Sequence, residues 1–365
     1  MKIAMIGPGY GHNIKPFLDY FETDISHSLD FYYHTNDFLI EKYEKINFFS
    51  TPKRINYLLK HIKSYDVIWL MGGGRLMYLL YFILLFKKKK SHAILHIWSE
   101  DLPRSIMQKS FMGIFKKIMV SNFTIINCNW FGTANIFKGK IKNKVQVNAL
   151  GMVNDYFLDI DSPDRDLKKI LDKIDNNTYN FYYPKSFTKS SRHDLVIEAA
   201  NILKEKNKLN FKIYFWEGNV VDIAFKKNVL NLIDKYDLSS YVILLKKDKF
   251  YSTEEFNLLW GKMDCGLQIA EYDQISNTVF EPLINEKDII ISDIEPYRYL
   301  EHYFGFKLVL TPLKTKDIAI RMEGMITGKM RTDIKEKSDI KKSILEKYRF
   351  ETNFNSNLKK LEKDL

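Results

Sequence analysis

Short runs rich in Ile, Val, Phe and Tyr alternate along nearly the whole chain with longer segments whose apolar residues recur every three or four positions. That alternation predicts an α/β protein built from parallel strands with helices on both faces. In the first half, strands are expected at residues 2–6, 30–33, 67–71, 93–98, 123–126 and 145–148. In the second half they are expected at residues 179–183, 211–215, 242–245, 266–269, 289–291 and 307–310, with helices filling the gaps. Residues 159–177, dense in Asp, Lys and Asn and carrying Pro163, have the composition of a polar connection with a short helix. The expected organisation is therefore two doubly wound domains, 1–158 and 178–335, followed by charged amphipathic helices over 336–365 that pack across them. The carboxyl ends of two such sheets face a cleft, and ligands bind at such ends. No repeat of solenoid length is present.

Length and composition narrow this picture. At 365 residues the chain exceeds a single small module, and 45% hydrophobic with 28% charged residues describes a folded protein with sizeable cores. The excess of 56 Lys and Arg over 45 Asp and Glu gives a net charge of +11, which favours a polyanionic partner: nucleic acid, anionic lipid or a phosphorylated ligand. The lysines are dispersed over many helices and no nucleic-acid motif accompanies them, so nucleic acid ranks last. Cys128 and Cys265 sit in apolar contexts without metal-ligand spacing, and are read as buried free thiols of a cytoplasmic protein. The N-terminus, MKIAMIGPGYG, carries too short an apolar run for an export signal and reads as a first strand entering a glycine turn. Leu76 to Phe86 is an unbroken apolar run of eleven residues closed by Lys87 to Lys90. It falls well short of the ~20 residues that cross a bilayer. It reads equally as a core helix with a solvated lysine end or as peripheral contact with an anionic membrane surface.

Four constellations could carry chemistry. Gly7, Gly9 and Gly11 follow the first strand in GPGYGHN, with Pro16 where a helix would start. The spacing is GxGxG, Pro8 removes an amide donor and Asp37 is a poor ribose-binding acid, all of which disfavours a dinucleotide dehydrogenase. What remains is backbone approach to a ligand at Gly9 and Gly11, or a plain strand-to-helix turn. Gly72 to Gly74 form a second such turn. His96, Glu100 and Asp101 end a middle strand, in a position for acid/base work, hydroxyl binding or a helix cap. Asp273 and Glu281 bracket a helix start in DQISNTVFEP. There Ser276 or Asn277 can cap the helix, leaving the first amides, around Thr278, to face an anion, with a purely structural capped helix as the alternative. Upstream, Lys185, Lys189 and Arg192 occupy a strand-to-helix loop, where each charge-assisted bond to a pyrophosphate would contribute ~1.5 to 3 kcal/mol.

In their order along the chain, GPGYG, HIWSED, LGMVNDYF, the Lys185 to Arg192 loop before DLVIEAA, and Asp273-x7-Glu281 before DIIISD resemble the motifs of GT-B glycosyltransferases. The resemblance is greatest to the family 4 retaining enzymes that build bacterial surface polysaccharides, and it covers nearly the whole chain. Lys185 stands where the family has Arg, Arg192 lies beside the usual Lys position, and Asp273 replaces a Glu. Asp is one methylene shorter, so sugar identity does not carry over. The resemblance implies metal-independent, retaining transfer of a sugar from a nucleotide diphosphate sugar, with no other cofactor. Lys185, Arg192 and the helix amides would stabilise the departing diphosphate, Asp273 would orient the sugar and Glu281 the ribose. Asp101, with Glu100 or His96, would contact the acceptor or the transferred sugar. Lys189, Ser276, Asn277 and Thr278 would line the donor site, and Gly9 and Gly11 would let backbone close on phosphate. The acceptor would be a lipid-linked or growing saccharide, which fits the basic, aromatic-rich segment IMQKSFMGIFKKIM and a protein peripheral to the inner face of the cell membrane. A sugar-nucleotide epimerase of the same architecture and a non-catalytic basic binding protein are the alternatives.

Overall fold

In the strand Lys2–Gly7 (β1), Ala4 and Ile6 enter one core and Ile3 and Met5 another, and all four are buried. A strand apolar on both faces belongs inside a parallel sheet covered on both sides. The computed structural model describes residues 1–7, 14–33, 43–71, 91–97, 101–128, 130–147, 165–206, 209–217, 222–245, 253–273, 275–349, 353–355, 358–359 and 361–362. They divide into two compact units, Met1–Val153 with Tyr348–Leu365, and Asn154–Lys347.

The first unit contains β1, Ser28–Tyr33 (β2), Asn47–Ser50 (β3), Val67–Met71 (β4), His92–Ile97 (β5), Ile125–Cys128 (β6) and Val145–Val147 (β7). They form one seven-stranded sheet in the order β3-β2-β1-β4-β5-β6-β7, every neighbouring pair parallel. The second unit contains Tyr179–Tyr183 (β8), Phe211–Trp216 (β9), Val242–Leu245 (β10), Cys265–Gln268 (β11), Asp288–Ser292 (β12) and Val309–Thr311 (β13). Its six-stranded sheet runs β10-β9-β8-β11-β12-β13, again all parallel. In both sheets the winding reverses once, between β1 and β4 and between β8 and β11. Such a reversal leaves a crevice outside the carboxyl ends of the two strands, the usual ligand position in open α/β sheets. The expected fold class, α/β with two doubly wound Rossmann-like sheets, is what the chain adopts.

Where six strands were expected in the first half, the described residues form seven. The additional one, β3, is a four-residue edge strand that runs directly into the helix Thr51–His61. The chain passes from one unit to the other at Val153 and Asn154, ahead of the expected connection. Within that connection the helix Arg165–Leu171 already buries Leu167 and Ile170 in a core of the second unit. The stretch expected to pack across the domains divides: the helix Ile334–Lys347 belongs to the second unit, whereas Phe354, Leu358 and Leu361 join a core of the first. There the Phe354 ring lies 5.0 Å from Phe17 and 5.4 Å from Trp69.

Both cysteines are buried and free, and burial pushes the Cys128 thiol up to about 12. Among the described residues no helix is long and apolar enough to cross a membrane. The Leu76 to Lys90 stretch lies outside the described residues.

Candidate functional site

The reversal point of the second sheet gathers most of the polar groups singled out from the sequence. β8 ends at Tyr183, whose fully buried hydroxyl donates toward the carbonyls of Ser191 and Ile269, the latter at 2.5 Å. Burial, reinforced by the charge of Asp273, drives its pKa well upward, so it remains a neutral donor. Through it the loop after β8 is pinned to the residues that follow β11. The Glu271 amide donates to the Ser190 carbonyl at 2.9 Å and closes the same seam.

Across that seam Lys185 meets Asp273. The Lys185 ammonium donates to Asp273 Oδ2 at 2.7 Å and to Ser276 Oγ at 3.3 Å. The same carboxylate oxygen accepts from Gln268 Nε2 and from the Tyr297 hydroxyl, each at 2.7 Å. Gln268 is fully buried at the end of β11, and its Oε1 accepts from Thr278 Oγ1 at 3.2 Å. Burial and the neighbouring Asp273 charge raise the Tyr297 pKa well above its ordinary value, which keeps the phenol protonated beside the carboxylate. Ser276 stands at the N-cap of the helix Asn277–Ile284 with extended backbone, yet its hydroxyl makes no capping bond. It contacts Thr278 Oγ1 at 2.7 Å instead. An uncapped helix start offers amide donors and a positive dipole end to an anion.

Arg192 has a different place from the one its charge implied. Its backbone is left-handed, with φ 42°, and its guanidinium forks onto Asp194 at 3.0 and 2.9 Å while Nη1 reaches Glu271 at 2.8 Å. These two carboxylates raise its pKa and fix it as a strut between the loops that follow β8 and β11. Lys189 opens a short 3-10 turn, Lys189–Ser191, and is exposed. Glu281 is buried one turn into the helix and accepts from Trp260 Nε1 at 3.4 Å. Asn277 is the first residue of that helix and is partly exposed.

In the first unit, His96 is buried near the end of β5. Asp101 begins the helix Asp101–Met107. Gly9, Gly11, Gly72 to Gly74 and Glu100 lie outside the described residues, as does the Asp101 side chain. The structure thus brings together Lys185, Asp273, Ser276 and Thr278, and adds Gln268 and Tyr297, which the sequence reading missed. A polar Gln in the otherwise apolar strand CGLQIA was a usable signal; Tyr297 had none.

No family model and no curated protein matches the sequence. Solved structures do match its fold. A glycosyltransferase from Rickettsia africae superposes with a TM-score of 0.76 at 14% identity, over 100% of this chain and 98% of the other. Anabaena HepE, solved with UDP-glucose, gives 0.77 at 13% identity over 100% of both chains. Sucrose-phosphate synthase from Thermosynechococcus elongatus gives 0.74 at 11% identity, also over 100% of both. The fold of this chain is that of the GT-B glycosyltransferases.

Proposed function

We propose that this protein is a glycosyltransferase that moves a sugar from a nucleotide diphosphate sugar to a saccharide or lipid-linked acceptor, in cell-surface polysaccharide synthesis at the inner face of the cell membrane. The observation that carries the reading is the Lys185, Asp273 and Ser276 cluster beyond the carboxyl ends of β8 and β11. It places a cation, a carboxylate and an uncapped helix start at the reversal point of a sheet whose fold is shared with a protein solved with UDP-glucose.

In this reading the diphosphate docks on the first amides of the Asn277–Ile284 helix, and Lys185 shifts from Asp273 toward the leaving oxygen as negative charge develops there. Asp273, held by Gln268 and Tyr297, then accepts from a donor-sugar hydroxyl, and Glu281 serves the ribose. Arg192, occupied by Asp194 and Glu271, acts as the strut that keeps Lys185 in place rather than as a diphosphate ligand. Lys189 lies at the solvent edge of the same loop. His96, Glu100 and Asp101 belong to the acceptor side. Transfer proceeds with retention of anomeric configuration, as in the family the motifs resemble.

Titration calorimetry against UDP, GDP and CMP, followed by turnover of the matching nucleotide sugars with and without a saccharide acceptor, tests the reading. One nucleoside diphosphate is expected to bind, and its sugar to be consumed faster when acceptor is present. Absence of binding to all three would overturn the proposal, as would conversion of the donor to an epimer with no acceptor added.

A further inference from the structure

The helix Phe111–Val120 reverses the usual order of a surface helix. Its inner side is Gly113, Met119 and Val120, all buried, and Ser110 caps it by accepting from the Gly113 amide at 3.1 Å. Glycine is required at that seat, because a Cβ on Gly113 would stand 2.2 Å from the Gln108 carbonyl oxygen. The outer side should then be polar. Instead Phe111, Ile114, Phe115 and Ile118, spaced so as to form one stripe, are 82%, 58%, 38% and 60% exposed. Scattered apolar residues on a surface are ordinary, whereas a contiguous stripe of four on one helix marks a contact surface.

The charge around the stripe identifies what it contacts. From Leu102 to Asn154 the chain carries eight Lys and Arg and not one Asp or Glu, although acids number 45 in 365 residues overall. Lys109, Lys117, Lys138, Lys140 and Lys142 are exposed. The last three lie in or next to the 3-10 turn Gly139–Lys144, which is tied to the end of the helix: Lys144 Nζ donates to the carbonyls of Ser121 at 2.6 Å and Phe123 at 3.0 Å. An apolar stripe flanked by lysines with no acid among them is complementary to an anionic lipid surface, where apolar side chains enter the acyl boundary and ammonium groups meet phosphates. A second copy of the chain is a poor occupant, since a two-fold contact would set this basic surface against itself.

We infer that the Phe111–Val120 helix and its flanking lysines form a docking surface for an anionic bilayer. The inference deepens the lipid-linked acceptor reading above and rests on it for its role in the reaction, but its test requires no turnover.

Sedimentation of the full chain with vesicles of equal parts phosphatidylglycerol and phosphatidylcholine, against vesicles of phosphatidylcholine alone, decides it. The protein is expected to pellet with the anionic vesicles and to be released as salt is raised. The double variant Phe111→Ser, Ile118→Ser should lower partitioning at least about tenfold. The triple variant Lys138→Gln, Lys140→Gln, Lys142→Gln should lower it by a similar factor. Both should melt like the parent, because the altered side chains are exposed. The inference is overturned if the parent stays in the supernatant, if the apolar variant binds as well as the parent, or if light scattering shows a dimer that the apolar variant dissociates while vesicles capture neither. Vesicle binding without nucleotide-sugar turnover would sink the transferase reading alone; turnover without vesicle binding would sink this one alone.

Discussion

Asp30 in the first unit and Asp273 in the second have the same kinds of partner, a tyrosine, a carboxamide and a lysine, and put them to different use. Asp30 accepts from Tyr65 at 2.5 Å and from Asn47 Nδ2 at 2.8 Å, with Lys2 Nζ at 4.0 Å. Asp273 accepts from Tyr297, Gln268 and Lys185, each at 2.7 Å. Asp30 lies within β2, paired in register with Ala4 and Asn47 toward the amino ends of the strands, and its side chain is 5% exposed. Asp273 lies past the carboxyl end of β11 at the reversal of the sheet, and its side chain is 16% exposed. A carboxylate set into the ladder is committed to holding strands together. One carried on a loop beyond the strand ends can exchange a lysine or a hydroxyl for a ligand without loss of a strand pair.

The largest effects follow from neutralising each of these two acids in turn and from removing Lys185. Lys185→Ala and Asp273→Asn are each expected to lower kcat/KM of transfer at least about tenfold, since a charge-assisted hydrogen bond contributes ~1.5 to 3 kcal/mol. The denaturation midpoint of Lys185→Ala should stay close to the parent's, whereas Asp273→Asn also weakens the acceptor for a buried tyrosine hydroxyl, that of Tyr297, and should cost about 1 to 3 kcal/mol of stability beside its loss of activity. Asp30→Asn should leave turnover within about twofold and cost about 1 to 3 kcal/mol of stability, because it weakens the acceptor for a buried tyrosine hydroxyl. Steady-state kinetics beside urea denaturation separates the two patterns. Equal losses of stability and equal retention of activity in Asp30→Asn and Asp273→Asn would abolish the distinction.

The next effect sharpens the contrast at a neighbouring residue. His193, the first residue of the helix His193–Glu205, is fully buried and stacked on Phe187, with ring centroids 4.3 Å apart. Burial depresses its pKa from 6.5 to about 3, against opposing contributions from the Lys185 backbone and the Asp194 charge. Folding therefore holds the ring neutral. This contribution is complete above pH 6.5, where the unfolded ring is also neutral, and is lost as pH falls from 6.5 toward 3, where the unfolded state takes up a proton that the folded state refuses. By pH 5 the loss should reach about 2 kcal/mol. Urea midpoints at pH 7.5 and pH 5 should diverge in the parent and converge by that amount in His193→Phe. An identical pH dependence in both proteins would show that the ring is protonated in the folded state.

Much of this arrangement was legible in the sequence, for reasons that also mark where it stopped being so. Strands such as Val67–Met71, Tyr179–Tyr183 and Val242–Leu245 are apolar runs set between turn residues, and a buried parallel strand has no other way to be written. β3 escaped because Asn47–Ser50 is short and pairs only at the sheet edge with β2. Lys185 and Asp273 were visible as charges in loops after strands. Tyr297 was not, because it sits on the amphipathic helix Glu295–Phe304 and its link to Asp273 is made only by tertiary packing. Arg192 was visible as a cation, but its neighbours Asp194 and Glu271 decide what that cation holds, and Glu271 comes from 79 positions away. The segment around Phe111 read as basic and aromatic; which of its side chains face outward depends on where Gly113 seats the helix.

The smallest effect concerns the far end of the helix that begins beside Asp273. The Asn277–Ile284 helix stops in a Schellman arrangement: the Glu286 amide donates to Leu283 O at 3.1 Å and the Lys287 amide to Pro282 O at 2.9 Å. That geometry requires a left-handed residue, and here it is Glu286, with φ 57°. The helix Glu295–Phe304 meets the same requirement with Gly305, at φ 79°. A side chain in the left-handed region costs roughly 1 kcal/mol relative to glycine, and the only ion pair Glu286 makes among the described residues is a loose 3.8 Å contact with Lys341. Glu286→Gly is therefore expected to raise stability by up to about 1 kcal/mol, somewhat less if the more flexible unfolded chain offsets part of it. Turnover should not change, since the strain lies nearly three turns from Ser276 and the helix start is held by its own contacts. A gain in the urea midpoint with unaltered kcat/KM would place the boundary between structural and functional parts of this helix after its first turn. A change in kcat/KM would extend the functional part to its end, and the clean separation drawn between Asp30 and Asp273 would no longer hold within the second unit.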